Sequence, residues 1–446
     1  MSNFVERPRY SCALGGALST LRAIPRAIPI IHASSGCGHN LHSATNAGSA
    51  YLGGGYCGAT SLPSTNVTEK HIVFGGEDRL KEQIESTLEI MDGDIYVVVT
   101  GCMVEMIGDD AESVVKDFAG AEKPVVAVST PSFKGNSYYG YDLLLEGLIK
   151  QYIRPQEEKN KKQVNILGIV PGQDIFWKGN LKEIKRLLGL IGIKANTLFG
   201  EGENLNDIKE SANASFNIVL SEIYGKKAAA AYEEIHNIPY ITAQIPIGYI
   251  QTENFIRKIG KHLNISKKVI DKALENERNI YYDYFERFLD IYTDADLQRY
   301  AVIVGDANYA PSLSRFVSDE LGWLPELAVV TDLLNENEKN TIIEQFKGFE
   351  SGLETTVKFD SNTSSVKKYL RDVWEPNNNQ RYYDSMTPVV VIGSIFEKDL
   401  AASINAPLVT VSYPITNRIV LNRSYIGSNG GLTLTEDILS SLITGR

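Results

Sequence analysis

Cysteine is scarce in this chain: there are four in 446 residues, and none lies beyond position 102. No CxxC pair occurs, so the spacing does not suit a structural zinc site. No apolar run approaches the roughly 18 residues that a membrane span needs. The opening MSNFVERPRYSC carries both charge signs and lacks the apolar core of a signal peptide, so a cytoplasmic location is expected. A phosphate loop of the form GxxxxGK[ST] is missing. The Gly-rich pieces GEGENL at 200 and GGGYCG at 53 are not expected to follow a strand and open a helix, so no nucleotide is expected on this chain. Excess positive charge is also lacking: 44 basic against 55 acidic residues give a net charge of -11, spread without long blocks, which argues against a nucleic-acid partner.

What is present points to a large α/β protein. Hydrophobic content of 43% and charged content of 22% are ordinary for a globular chain, and the length is too great for one core. Short apolar runs alternate with helical patterns throughout, which predicts three doubly wound, Rossmann-like parallel-sheet domains at 1–155, 156–295 and 296–446. Within the first, Ile28–His32, Ile95–Thr100 and Pro124–Val128 are strand candidates. HIVFGGEDRLKEQIESTLEIM at 71 is expected to give a strand, a Gly-Gly turn and a helix. The polar run QEEKNKKQ at 156–163 is expected to be a linker. Val164–Val170, Phe216–Leu220 and PYITAQIPIG are expected to supply strands of the second unit, with a long helical bridge over Ile256–Tyr292. Tyr300–Val304, ELAVVTD, PVVVIGS and PLVTVSY are expected to supply the third.

The cysteines sit where this pattern makes sulfur useful. Cys102 follows Ile95–Thr100 and Gly101 at once, and the residues through Asp110 read as the first turns of a helix, whose N–H groups bias a thiol towards thiolate. Cys37 stands in a Gly-flanked turn just beyond Ile28–His32, and Ser132 lies just past Pro124–Val128. Strand ends of a parallel sheet form one rim, so these groups can converge, with Cys12 free to add a further ligand. A random scatter would put all four cysteines in the first 102 positions with a probability of roughly 0.003. Each alone is commonly a small buried hydrophobe. Together, on different strand ends, they fit an iron–sulfur cluster built where elements meet, with Cys57 a weaker ligand candidate in its loose loop. His32, His39, His42 and His71 are expected to be satisfied polar residues rather than ligands. Glu105, Asp109 and Asp110 are expected to be first-turn carboxylates favoured by the helix dipole rather than a proton relay.

Several phrases carry a family resemblance. CMVEMIGDD at 102 and STPSFKGNSYYGYD at 129 resemble the cluster-cysteine motif and the TPSF-x-G segment of nitrogenase component 1 proteins, specifically of the β-type subunit. VFGGEDRL at 73, VPGQD at 170, PIGYIQTENF at 246, VGDANY at 304 and YPITNRIVLNRSYIGSNGG at 413 extend it along the chain. The resemblance implies that Cys12, Cys37 and Cys102 are thiolate ligands of a P-type iron–sulfur cluster (8Fe-7S, or a 4Fe-4S variant), with Ser132 an additional oxygen ligand. It implies an α-type component 1 partner in an α2β2 assembly, sharing the cluster and holding the active-site cofactor. It implies transient docking of an ATP-dependent iron protein. Two departures stand out: the 65-residue interval from Cys37 to Cys102 is longer than in standard β subunits, and the N-terminal extension of molybdenum-type β subunits is missing. They keep open a nitrogenase-like reductase of sulfur compounds or tetrapyrroles, and a cofactor-maturation scaffold without turnover.

Overall fold

A computed structural model describes residues 5–38, 62–156, 158–374 and 388–444. Three parallel sheets organise them. The first joins β1 (Ala27–His32), β2 (Ile95–Thr100) and β3 (Val125–Val128) in the order β1-β2-β3. The second contains β4 (Asn160–Leu167), β5 (Lys194–Asn196), β6 (Ala214–Val219) and β7 (Tyr240–Thr242), in the order β5-β4-β6-β7. The third contains β8 (Tyr300–Gly305), β9 (Leu324–Val330), β10 (Thr356–Phe359), β11 (Val389–Gly393) and β12 (Leu408–Thr410), in the order β10-β9-β8-β11-β12. The strand order reverses direction between β4 and β6 and between β8 and β11, as in doubly wound folds.

Each sheet is covered on both faces because its strands are apolar at successive positions. In β2 every residue of IYVVVT is buried. Val97 and Val99 face Leu14, Leu18, Leu144 and Leu148, while Tyr96 and Val98 face Leu80, Ile84 and Val114. The third sheet divides in the same way, Ile303 and Ala328 packing with Leu313 and Phe316, and Val302 and Val329 with Val366 and Leu370.

Four local expectations are corrected. Residues 71–74 are helical, in Glu69–Phe74, because Thr68 and His71 form a reciprocal cap and the apolar side chains face outward rather than into a sheet. The stretch 156–163 is not all linker: β4 begins at Asn160, its first three residues projecting exposed beyond the sheet core. The bridge is two helices, Gly248–His262 and Lys267–Asp294, parted where Asn264 adopts a left-handed conformation. GEGENL at 200 does lie between a strand, β5, and a helix, Leu205–Lys209. Glu203, however, accepts hydrogen bonds from the Thr197 and Gly200 amides and pairs with Lys185, so a carboxylate already takes the donors that a phosphate would need. Among the described residues no helix is long and apolar enough to cross a membrane.

Candidate metal centre

The ends of β1, β2 and β3 are stitched to one another by short polar contacts. The Gly101 amide donates to the His32 carbonyl at 2.9 Å. A Cβ at Gly101 would lie 2.6 Å from the Ala33 Cβ, so only glycine lets the two strand ends come this close. Thr100 and Thr130 clasp each other: the Thr130 amide donates to Thr100 Oγ1 at 3.1 Å, and Thr130 Oγ1 to the Thr100 carbonyl at 2.9 Å. Beyond these anchors, Cys102 opens a six-residue helix, Cys102–Ile107, and Ser132 opens a single 3-10 turn. The expected continuous helix through Asp110 is instead broken by left-handed Gly108, and Asp110 caps a second helix, Ala111–Lys116.

The result is close contact between two of the expected ligands. Cys102 Sγ lies 2.9 Å from Ser132 Oγ, and the Ser132 amide donates to the same sulfur at 3.2 Å. Cys12 arrives from the N-terminal segment, bridged antiparallel to Asn136, and ends at the start of helix Ala13–Leu21. It lines an open cleft of about 580 Å³ together with Ser132, Tyr10 and Asn136. Burial pushes the Cys12 thiol up; the Gly15 and Leu14 amides pull it down, and the Cys102 and Cys37 thiols push it up again as like charges. Cys37 sits in the helical turn 35–38, not in an irregular turn, with Ser34 Oγ 3.8 Å from its sulfur. Cys12, Cys37 and Cys102 are all unpaired and half-buried. Cys57, His39 and His42 lie outside the described residues.

The other polar groups near the rim have structural partners. Buried His32 sits between Thr65 Oγ1 at 3.1 Å and Asp109 Oδ2 at 3.0 Å, and burial lowers its pKa against the opposing pull of Asp109. Asp109 also accepts from the Gly76 amide, and Glu105 accepts from the Thr100 hydroxyl. His71 caps its own helix. Among the described residues no three of His, Cys, Asp and Glu come close enough to hold one metal ion. Three unpaired thiols and a hydroxyl spread around an open rim suit a polynuclear iron–sulfur cluster better than a single ion. Exposed apolar side chains lie on the elements at that rim: Met106 in the helix that Cys102 opens is 77% exposed, Phe133 in the turn that Ser132 opens 63%, and Phe74 in the neighbouring helix Glu69–Phe74 81%.

Arg9 and Glu397, which hold the segment of Cys12 in place, carried no sequence signal, because they are far apart in the chain. Gln173 lies in the VPGQD phrase, but nothing in the sequence tied it to Cys12. The Thr100–Thr130 clasp was legible in principle, since each threonine stands two residues before its expected ligand, Thr100 at the end of β2 and Thr130 two residues past β3.

The family described as nitrogenase component 1 type oxidoreductase matches residues 12–443. The nitrogenase molybdenum-iron protein beta chain of Methanococcus maripaludis is 27% identical, the match covering 98% of this chain and 94% of the relative. The beta chain of Azotobacter vinelandii is 24% identical, over 98% of this chain and 84% of the relative. In fold, the chain is similar to a solved structure titled "Nitrogenase Cp1 at pH 6.5", with a TM-score of 0.79 and 22% identity, covering 100% of this chain and 94% of that one.

Proposed function

The chain belongs to the nitrogenase component 1 family and is of its β type, and from that premise we propose that it holds a P-type iron–sulfur cluster that it shares with an α-type partner in an α2β2 assembly. The proposed role is electron relay from an ATP-dependent iron protein towards a cofactor in the partner subunit. One observation carries the reading: Cys102 Sγ stands 2.9 Å from Ser132 Oγ beyond the strand ends of the first sheet, and unpaired Cys12 lines the same cleft as Ser132.

Cys12, Cys37 and Cys102 would hold the iron through thiolate, and Ser132 would add an oxygen. When bound, the cluster supplies reversible one-electron chemistry. The chain's own residues do the rest. Ser132 Oγ, at 2.9 Å from the Cys102 sulfur, is placed to keep or give up its proton as the charge beside it changes. The Ser132 amide donates to the same sulfur and so helps to fix where it stands. The Thr100–Thr130 clasp and Gly101 fix the separation of the strand ends that carry the donors. Phe74, Met106 and Phe133 form an apolar border that a partner subunit would cover, excluding water from the site.

The test is iron content and optical absorption of the complex purified without oxygen. Cys102→Ala is expected to lose most of the iron and the associated visible absorption. Wild-type iron content together with undiminished electron transfer in that variant would overturn the assignment.

A further inference from the structure

Cys12 differs from the other sulfurs in having no strand of the first sheet beneath it. It hangs on the segment Arg9–Cys12, and that segment is fastened to all three sheet units. The first grips it where the Ser137 amide donates to the Ser11 carbonyl at 2.8 Å. From the second, Gln173 Nε2 donates to the Arg9 carbonyl at 2.7 Å, while its Oε1 accepts from Ser137 Oγ at 2.8 Å. The third grips it through the Arg9 side chain, which is 3% exposed and paired with Glu397 at 0%. Arg9 Nη1 donates to Glu397 Oε2 at 3.1 Å and to Ser394 Oγ at 2.9 Å, and Nη2 donates to Glu397 Oε1 and to Thr363 Oγ1 at 3.3 Å. Ser394 also fixes Glu397, its amide and hydroxyl each donating to Oε2 at 2.8 Å.

We propose that the Arg9–Glu397 ion pair is a positioning clasp through which the third sheet unit sets where the Cys12 thiol stands at the rim. A buried ion pair adds little net stability over apolar residues of the same size, because desolvating two charges cancels most of their attraction. What a two-pronged Arg–carboxylate pair does provide is fixed geometry. Only Tyr10 and Ser11 separate Arg9 from Cys12, and the Arg9 and Ser11 carbonyls are held by Gln173 and Ser137, so little slack remains to absorb a loss at Arg9. The importance of this placement rests on the cluster reading above; the clasp itself does not.

Two arms separate the two ideas. In the full-length chain produced without iron or partner, peptide-resolved maleimide labelling reads Cys12 and Cys102 in the same sample. Arg9→Met and Glu397→Gln are each expected to raise the Cys12 rate about tenfold while the Cys102 rate stays unchanged, because only the local segment opens. Ser394→Ala, which keeps both charges but removes the hydroxyl that Arg9 and Glu397 share, is expected to raise the same ratio and decides the matter if the charge variants do not fold. An unchanged Cys12-to-Cys102 ratio, or both rates rising together, overturns the clasp. The assembled wild-type complex, assayed for iron, forms the second arm. A raised ratio alongside a complex that takes up no iron keeps the clasp and removes the cluster, and an unchanged ratio alongside iron uptake does the reverse.

Discussion

Helix Ala13–Leu21, which begins immediately after Cys12, lies backbone to backbone against helix Ser137–Gln151. Two glycines permit this approach. A Cβ on Gly140 would stand 1.9 Å from the Ala13 carbonyl oxygen, and one on Gly16 would stand 1.8 Å from the Ser137 carbonyl oxygen. An ordinary contact needs about 3.4 Å, so Gly140→Ala must part the helices by roughly 1.5 Å or distort backbone that has no rotamer to yield. Overpacking of this kind costs about 3 kcal/mol, and the better helix propensity of alanine returns about 1 kcal/mol, leaving about 2 kcal/mol of net loss. For a unit of this size that corresponds to a fall of roughly 4–8 °C in thermal midpoint. Gly189 is the internal control. It lies in helix Trp177–Leu190, with nothing within 4 Å of its would-be Cβ, so Gly189→Ala is expected to be neutral or to gain up to about 1 kcal/mol. Scanning calorimetry of the two variants side by side gives opposite signs if the close approach is real. Equal shifts in the two would refute the packing argument and, with it, the account of how Cys12 is seated.

The remaining expectations concern neighbouring groups. Ser132→Ala is expected to keep most of the iron that Cys102→Ala loses and to alter the spectrum of the oxidised centre, read by paramagnetic resonance; complete iron loss would contradict the ranking of the two ligands. Asp142, on helix Ser137–Gln151, accepts from the Gly225 and Ala228 amides and so caps helix Lys226–His236 of the second unit. Asp142→Ala strands those donors and is expected to cost about 1–3 kcal/mol in denaturant unfolding, with Asp142→Asn costing less. Burial pushes the Asp142 carboxyl up from 3.8 to about 7, against the pull of those amides. A folded pKa raised in this way contributes stability that is fully present below about 4 and is lost as pH rises to about 7. The wild-type thermal midpoint should therefore fall across that window relative to Asp142→Asn, and parallel curves would show that Asp142 does not titrate there.

Much of the rim was legible because β-branched runs that stop at glycine or proline are strong strand-end signals. Ile95–Thr100 came through unchanged, and Pro124–Val128 differs from the observed strand by one residue. The failures have physical causes. IVF at 72–74 has strand-like composition, but a cap at Thr68 and the absence of a sheet partner make it helical, and its apolar side chains face outward at the rim. β5 and β10 went unread because each is three or four residues long, with a lysine in the strand, and lies at the edge of its sheet, where the apolar pattern is weakest. Arg9 and Glu397 each look like surface charges, and only the folded chain brings them together across 388 positions.

That contrast bears on how the donors come together. Cys37, Cys102 and Ser132 depend on adjacent parallel strands of one sheet, so their relative placement is complete once β1, β2 and β3 have paired. Cys12 depends on Gln173 and Glu397, contacts that span 164 and 388 residues, so its placement requires the second and third units to have docked. The entropy of closing so long a span grows slowly with length, so the contacts are affordable at equilibrium, but they form only after the local ones. Cys37, Cys102 and Ser132 are therefore placed early and Cys12 only with the whole chain, so under the proposed function the seating of Cys12 is a check on complete folding before the proposed iron centre can be enclosed.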